Sequence, residues 1–398
     1  MDQTPIICDY GSGFSKVGFA GNEAPLSVFP TIIGKLKHNN LLVGTEEEDC
    51  FIGAEAQNNL VQLNLNHPIT RGAIANWDNV EKIWHHSFYQ ALHISPEQHP
   101  VMITEPPLNS KDVKSRMTQP AARGTHEHLG SVCHLAGQHA NLPPQILFET
   151  FNVPALYMAN QGVLSMYAAG RTSGTTIESG EGMTYIVPIM NGYPLQLSTL
   201  KLDVAGQDLT SYLLKLLSDS GNLLVGAADR EYIRDLKEKH CYVALDYDME
   251  ISKTAAPSCQ KKFQLPDGKE VSMGQEAFMC SEALFNTSLI GKSNLGIHIQ
   301  AQESITSCDR SYWKTLFSHI MVSGGTGAFS GLRLRLQREI TNLASPDLCV
   351  KVAISPYAKY GAWVGASILC SLPMFKDMWV TSQEYREIGP SVMCRRNL

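Results

Sequence analysis

Two short stretches of the sequence combine an acidic residue with a glycine turn. Asp9 ends an apolar run and precedes Tyr10-Gly11-Ser12-Gly13, and Glu178 ends an apolar run and precedes Ser179-Gly180-Glu181-Gly182. A glycine turn lets backbone N–H groups approach an anion closely. The neighbouring carboxylate can hold Mg²⁺ directly or through water, and Lys16 adds a positive charge that can reach the same phosphates. One such run is usually an ordinary hairpin, but two in one chain indicate a site for phosphate and a divalent cation.

Two less specific features point to the same chemistry. Ser323-Gly324-Gly325-Thr326-Gly327 follows a strand-like segment and precedes a helical one, which directs free N–H groups towards a phosphate or a ribose. Arg234, Lys237 and Glu238 are spaced i, i+3 and i+4, so they share one helix face. That face is either a solvated charged surface or a polar wall against an adenosine. The sequence contains no G-x-x-x-x-G-K-[ST] motif, which excludes a Walker A loop.

Strands and helices alternate around these residues. Each acid–glycine run lies between apolar segments of strand character and therefore predicts a β-hairpin. Two similar hairpins predict two related domains that face each other. Asp78 and Glu81 predict the N-cap and capping box of an amphipathic helix, and further helices are predicted from about Asp208 and near Asp229. This alternation places the chain in the α/β class.

The composition excludes several classes of protein. A chain of 398 residues is longer than one hydrophobic core comfortably supports, and 43% apolar with 18% charged residues is typical of a globular protein. The formal net charge of -6, without a long Lys or Arg run, argues against a direct nucleic-acid partner. No stretch approaches the roughly 20 apolar residues of a membrane span. The 10 cysteines are scattered singly, which suits a reducing, intracellular compartment.

The sequence resembles actin over nearly its whole length. The resemblance implies an α/β fold with two ribonuclease-H-like domains, shared with sugar kinases and heat-shock-70 proteins, around a central nucleotide cleft. It also implies ATP or ADP as the ligand, with Mg²⁺ or Ca²⁺. The stretches most similar to actin are residues 76–86, 148–155, 237–246 and 265–268.

Domain boundaries follow from the same resemblance. The first actin-like domain would comprise residues 1–168 and 361–398, with 31–64 as its smaller subdomain. The second would comprise residues 169–360, with about 205–292 as its smaller subdomain.

Residues 120–145 have no equivalent in actin and form an inserted loop rich in Gly, Pro and His. Pro120 would stop the helix that precedes it. The segment is either a genuine surface loop or an unspliced intron read in frame, and comparison with transcripts would separate the two. It also contains candidate metal ligands, although their spacing fits no established pattern: His126, His128, Cys133, His134 and His139.

Functional residues can be transferred from actin where this sequence matches its motifs. Asp9 would lie beneath the water shell of the metal. Gln161 matches the glutamine that helps to place the attacking water, and Glu178 is the other catalytic candidate. The residues that would contact the nucleotide are Gly11, Ser12, Gly13, Lys16, Gly180, Gly182, Arg234, Lys237, Glu238, Gly324, Gly325, Thr326, Phe329 and Lys359.

The sequence departs from actin where hydrolysis would occur. Glu178 and Glu181 replace aspartates, and a carboxylate displaced by about 1 Å can cost roughly 10²-fold in rate. Tyr185 replaces a histidine that helps to orient the water, and a phenol is no base near neutral pH. Tyr10 replaces a small amide. We therefore expect nucleotide binding with slow or absent hydrolysis, at most a slow actin-type ATPase.

The surfaces that actin uses to meet its partners also differ. Only Asp2 remains of the acidic start of actin, and the exposed inter-subunit loop carries the acidic run Glu46-Glu47-Glu48-Asp49. Adjacent like charges repel one another and would alter contact with a neighbouring subunit. Arg71 stands where actin has its modified histidine. These differences disfavour conventional filament formation.

The leading hypothesis is an ATP-binding actin-like cytoskeletal protein that acts as a structural or interaction module. Its partners would be other actin-family subunits or actin-binding proteins in the cytoplasm and cytoskeleton. The alternatives are a filament-forming actin-type ATPase, a nuclear actin-related subunit of a chromatin complex, and a phosphotransferase of the sugar-kinase type. The similarity to actin outside the nucleotide loops counts against the last of these.

Overall fold

A computed structural model describes residues 3–37, 50–108, 145–222, 224, 226–254, 256 and 260–393. Three features of the sequence lie outside these residues: Asp2, the acidic run at 46–49, and the inserted loop at 120–145 apart from Gln145, with all of its candidate metal ligands. Within the described residues, none of the helices combines the length and the apolar character that crossing a membrane requires.

Strands account for much of the described chain. In chain order they are β1 (Ile6–Tyr10), β2 (Phe14–Phe19), β3 (Ser27–Pro30), β4 (Ile33–Leu36), β5 (Cys50–Ile52), β6 (Leu63–Asn66), β7 (Ile69–Thr70), β8 (Ala73–Ile74), β9 (Val101–Glu105), β10 (Ala155–Asn160), β11 (Gly174–Ser179), β12 (Thr184–Met190), β13 (Tyr193–Pro194), β14 (Leu200–Leu202), β15 (Lys261–Gln264), β16 (Glu270–Met273), β17 (Ile320–Ser323), β18 (Val352–Ile354) and β19 (Val380–Thr381).

Helices pack against these strands. In chain order they are α1 (Ala54–Asn58), α2 (Trp77–His85), α3 (Gln161–Ala168), α4 (Gly206–Asp219), α5 (Ala227–His240), α6 (Tyr247–Lys253), α7 (Glu276–Glu282), α8 (Ile297–Thr306), α9 (Arg310–Ser318), α10 (Leu332–Leu343), α11 (Gly361–Ser371) and α12 (Ser382–Ile388). A π-helical turn, His86–Ala91, continues α2.

The molecule has two lobes, each built on a six-stranded mixed sheet. The first sheet has the order β19-β10-β9-β1-β2-β3, and the second has β13-β12-β11-β17-β18 with β14 paired to β12. In both sheets an antiparallel hairpin, β1–β2 or β11–β12, is extended by parallel strands on the side of its first strand. The α/β class and the two repeated hairpins predicted from the sequence are confirmed. The similarity extends beyond the hairpins to the central strand order of both sheets.

Separate hydrophobic cores explain why the lobes are distinct units. Ile6, Val80 and Leu156 belong to a core of the first lobe, and Leu209 and Leu332 belong to the large core of the second. Helices α3 and α11 pack side by side between the two sheets, with α11 against β1 and β9 and α3 against β11 and β12. Gly365 is required at their crossing, because a Cβ atom there would collide with the backbone carbonyl of Leu164.

Several helices begin slightly before the acidic residues that predicted them. Helix α2 is capped by Asn76, whose Oδ1 accepts a hydrogen bond from the Asn79 amide at 2.9 Å, so the predicted N-cap at Asp78 is wrong. Asp78 lies in the first turn, where its negative charge interacts favourably with the positive end of the helix dipole. Asp208 and Asp229 are the third residues of α4 and α5, and their carboxylates accept hydrogen bonds from the backbone amides before each helix.

Candidate functional site

A cleft of about 960 Å³ lies between the lobes and is lined by residues of both. Three glycine turns border it, at residues 11–13, 180–182 and 324–325, which follow β1, β11 and β17. The predicted site residues that line the cleft are Asp9, Gly11, Ser12, Gly13, Lys16, Gln161, Glu178, Gly180, Gly182, Lys237, Glu238, Gly324, Gly325, Thr326, Phe329 and Lys359.

The first acid of the cleft is held in a charged hydrogen-bond network. Lys16 Nζ lies 2.8 Å from Asp9 Oδ2, directly across the β1–β2 ladder. Thr104 Oγ1 donates to Asp9 Oδ1 at 2.6 Å, and Gln161 Nε2 donates to the same oxygen at 3.0 Å. Burial acts to raise the pKa of Asp9, but the Lys16 charge and these hydrogen bonds outweigh it, and the pKa is lowered. Asp9 is therefore ionised near neutral pH.

The second acid has a different environment. Glu178 lies across the β11–β12 ladder from Tyr185 rather than from a lysine. Its Oε1 atom is buried and has no hydrogen-bond partner among the described residues. Burial raises the pKa of Glu178 to about 7, and the nearby negative charge of Asp9 adds to this effect. The hydroxyls of Ser165 and Ser323 and the charge of Lys16 act in the opposite direction but do not outweigh burial. The carboxyl group is thus divided between its protonated and ionised forms near neutral pH.

The two hairpin turns touch each other across the cleft. A Cβ atom at Gly182 would lie 2.5 Å from Ser12 Oγ, and one at Gly13 would lie 2.9 Å from Glu181 Cβ. Glycine at these positions therefore allows the two backbones to approach each other closely. The Glu181 carboxylate lies beside the start of α4, since a Cβ atom at Gly206 would lie 2.5 Å from Glu181 Oε2.

The third glycine turn is fastened to the second hairpin. Gly324 has a φ of 86° and donates its amide to the Ala358 carbonyl at 2.7 Å. Thr326 Oγ1 donates to the Gly180 carbonyl at 2.7 Å. The turns after β11 and β17 consequently form one continuous wall of the cleft.

Two basic residues of α5, Lys237 and Arg234, contact other protein groups. Lys237 lines the cleft, but its Nζ atom donates to the Gly206 carbonyl and to Thr210 Oγ1, both at 2.8 Å. Arg234 is the one predicted residue outside the lining of the cleft. Its guanidinium lies 5.7 Å from the ring centroid of Phe14 and 2.7 Å from Glu231 Oε2. Lys237 thus lines the cleft with its ammonium already hydrogen-bonded, whereas Nε and Nη2 of Arg234 are buried without a hydrogen-bond partner among the described residues.

Sequence reasoning missed two features of the site. The first is Thr104, which donates a hydrogen bond to Asp9. The sequence signal for this contact was a polar residue near the end of the largely apolar strand β9, which pairs with β1 in the sheet. The second feature is a group of charged residues beside the hairpin turns, in which Arg71 meets Asp203 and Asp208. These residues lie far apart in the sequence, and no local pattern connects them.

A sequence model of the family described as Actin matches residues 1–122 and 138–397. The chain belongs to the actin family. The unmatched stretch, 123–137, falls inside the segment that we interpreted as an insertion. Membership of the actin family implies the two-lobed, ribonuclease-H-like fold, in agreement with the two sheets described above. Actin-family proteins usually bind a nucleotide with a divalent cation and are generally cytoskeletal or cytoplasmic.

Proposed function

We propose that this actin-family protein binds ATP or ADP with Mg²⁺ or Ca²⁺ and acts as a structural or interaction module. The observation that carries the proposal is the convergence of three glycine turns and the ionised Asp9 on one cleft. The cleft would separate a domain of residues 1–168 and 361–398 from a domain of residues 169–360. Its partners would be actin-family subunits or actin-binding proteins of the cytoskeleton.

The chemistry of the cleft fits a magnesium nucleotide. Glycine turns at strand ends present backbone N–H groups to phosphate oxygens, and the buried Oε1 of Glu178 lacks a partner among the described residues. The described residues contain no cluster of three or more His, Cys, Asp or Glu that could hold a metal alone. Mg²⁺ is typically bound by one or two carboxylates together with water and phosphate oxygens. Asp9, with Glu178 nearby, would supply the protein's share.

We further propose that hydrolysis is slow or absent. Burial raises the pKa of Tyr185 to about 12, so its phenol does not accept a proton near neutral pH. The amide of Gln161 donates to Asp9 and to Thr104 rather than standing free beside the cleft. Glu178, with a pKa of about 7, is the group on which residual hydrolysis would depend.

Binding and hydrolysis can be tested on the same purified protein. We expect it to retain a fluorescent ATP analogue in Mg²⁺ buffer and to release phosphate at least about tenfold more slowly than conventional actin. The matched control is Gly182→Val, which fills the meeting point of the two turns and should abolish binding. Failure of the wild-type protein to bind ATP or ADP would refute the nucleotide site, and phosphate release at the rate of conventional actin would refute slow hydrolysis.

The role as a module has a separate test. Sedimentation after the addition of Mg²⁺, salt and ATP should leave the pure protein in the supernatant. Filaments in the pellet would favour the alternative, a filament-forming actin-type ATPase.

A further inference from the structure

Four charged side chains meet beside the two hairpin turns. Arg71 Nη1 lies 2.6 Å from Asp203 Oδ1, and Arg71 Nη2 lies 2.9 Å from Asp208 Oδ1. Lys292 Nζ lies 3.3 Å from Asp203 Oδ2 and 3.0 Å from Asp208 Oδ1, and it also contacts the Asp203 carbonyl. Two cations therefore share two carboxylates, and the group is electrically balanced.

The group connects the two lobes. Arg71 lies in the turn between β7 and β8, two residues after Ile69, which is buried in the core of the first lobe. Asp203 and Asp208 lie between β14 and the first turn of α4, next to Leu202 and Leu209 in the core of the second lobe. Lys292 follows the short helix Thr287–Ile290, which also belongs to the second lobe. Within the group, Arg71 alone comes from the first lobe.

The turn that carries Arg71 also touches both glycine turns of the cleft. The Gly72 amide donates to Ser12 Oγ at 2.9 Å. A Cβ atom at Gly182 would lie 2.9 Å from Arg71 Cα, and one at Gly72 would lie 3.3 Å from Tyr185 Oη. Arg71 has a φ of 49°, so its backbone is held in a conformation that is unfavourable for a residue other than glycine. Movement of Arg71 would therefore displace the atoms that close the cleft.

We propose that Arg71 is an interlobe latch, which binds Asp203 and Asp208 of the second lobe and keeps the cleft closed around its ligand. The latch controls how fast nucleotide leaves, and this consequence rests on the proposed nucleotide site. The side chain of Asp208 is only 9% exposed and that of Arg71 is 40% exposed, so salt screens the interaction in part.

Lys292 provides a way to distinguish a latch between the lobes from a general loss of ion pairs. It lies on the same lobe as the two aspartates and competes with Arg71 for them. Without Lys292, Arg71 faces two uncompensated carboxylates and the attraction between the lobes increases. Loss of either cation breaks ion pairs of similar length, but the two losses should have opposite effects on opening.

The test measures the release of a bound fluorescent ATP analogue into excess unlabelled ATP. We expect Arg71→Met to speed release about tenfold, equivalent to about 1.4 kcal/mol in the opening barrier. Arg71→Lys, which keeps the charge but loses the forked contact with both carboxylates, should be intermediate. Lys292→Met should release nucleotide no faster than the wild type. Raising the salt concentration should speed release from the wild type more than from Arg71→Met.

The matched control is Arg338→Met. Arg338 pairs with Asp246 at 3.4 Å on the surface of the second lobe, and its side chain is 46% exposed, close to the exposure of Arg71. This variant should release nucleotide at the wild-type rate. The latch is disproved if Arg71→Met behaves like Arg338→Met, or if Lys292→Met speeds release as much as Arg71→Met does.

Amide hydrogen exchange on nucleotide-free protein separates the latch from the proposed nucleotide site. Arg71→Met should weaken the protection of the Gly72 amide and of residues 203–208, whereas Arg338→Met should not. If the protein binds no nucleotide but Arg71→Met still weakens this protection, the nucleotide site is refuted and the contact between the lobes is supported. Unchanged exchange in Arg71→Met would refute the latch.

Discussion

The hairpins β1–β2 and β11–β12 occupy the same place in two sheets of matching central order, yet they hold their acids in different states. Asp9 faces Lys16 across its ladder and is ionised, whereas Glu178 faces Tyr185 and has a pKa of about 7. The backbone of the repeat is thus preserved while its electrostatics are not. The residue across the ladder, together with the hydrogen bonds that each carboxylate accepts, determines whether the buried acid stabilises or destabilises the fold.

Because their acids differ in charge state, the two hairpins should contribute differently to ligand binding. The first hairpin has a compensated charge and a complete hydrogen-bond network before any ligand arrives, so it is preorganised for binding. The second has a buried oxygen without a partner among the described residues, so a cation and phosphate would improve its environment. We therefore expect the second hairpin to depend more strongly on the ligand than the first.

The largest effect is expected from Asp9→Asn in nucleotide-free and metal-free protein. The substitution leaves the partly buried Lys16 ammonium without its counter-ion, which should cost about 3 kcal/mol of unfolding free energy. Because the folded pKa of Asp9 is lowered, its contribution is present above the ordinary aspartate pKa and is lost as the pH falls through the folded value.

Chemical denaturation at pH 7 and in acid measures this loss. The control is Glu270→Gln, which breaks the exposed pair with Lys262 and should change stability by less than about 1 kcal/mol. Equal losses in Asp9→Asn and Glu270→Gln would contradict the preorganised first hairpin.

The corresponding change in the second hairpin, Glu178→Gln, should have the opposite sign. Folding raises the pKa of Glu178 from 4.5 to about 7, so the native protein binds more protons than the unfolded chain within that window, and the wild type loses stability as the pH rises. Removing the carboxylate should stabilise the metal-free protein by up to about 3 kcal/mol at pH 8 and have little effect near pH 4.5.

Denaturation at both pH values gives the result. A variant that is less stable than the wild type at pH 8 would show that the second acid is compensated after all, and the contrast between the hairpins would disappear.

A third change tests whether the second hairpin limits hydrolysis. The double substitution Glu178→Asp with Tyr185→His installs the residue types that the resemblance to actin associates with hydrolysis. We expect phosphate release to increase at least about tenfold, because a histidine can orient the water and exchange a proton near neutral pH. Tyr193→His, at a tyrosine that is 56% exposed, is the control and should leave the rate unchanged. An inactive double variant that still binds nucleotide would show that residues other than Glu178 and Tyr185 limit hydrolysis.

Local patterns in the sequence predicted the parts of this site that are continuous in the chain. The acid–glycine runs correctly predicted both hairpins, and the fold brings the turns of these two hairpins together at the cleft. Partners from distant segments could not be predicted, because Thr104 reaches Asp9 only through the parallel pairing of β9 with β1. The same is true of Arg71 and Asp208, which meet only when the two lobes are assembled. Helical spacing identified the face of Arg234 but not its contacts with Phe14 and Glu231, and its role at the nucleotide stays a prediction.

The smallest effect is expected from Thr→Val substitutions, which remove one hydroxyl from each hairpin's surroundings with almost no change of shape. Thr104 Oγ1 donates to the charged Asp9 at 2.6 Å, whereas Thr176 Oγ1 donates to the neutral Val187 carbonyl at 3.5 Å. Hydrogen bonds to charged groups contribute more than neutral ones. Thr104→Val should therefore cost about 1.5 kcal/mol, and Thr176→Val about 0.5 kcal/mol or less.

Denaturation of both variants at pH 7, against the wild type, measures the difference. Acidification should reduce the cost of Thr104→Val, because protonation of Asp9 removes the charge that its hydroxyl stabilises, and it should leave the cost of Thr176→Val unchanged. Equal costs at both positions would mean that the Thr104 hydroxyl fixes the geometry of Asp9 without stabilising its charge, and that Lys16 and Gln161 supply that stabilisation.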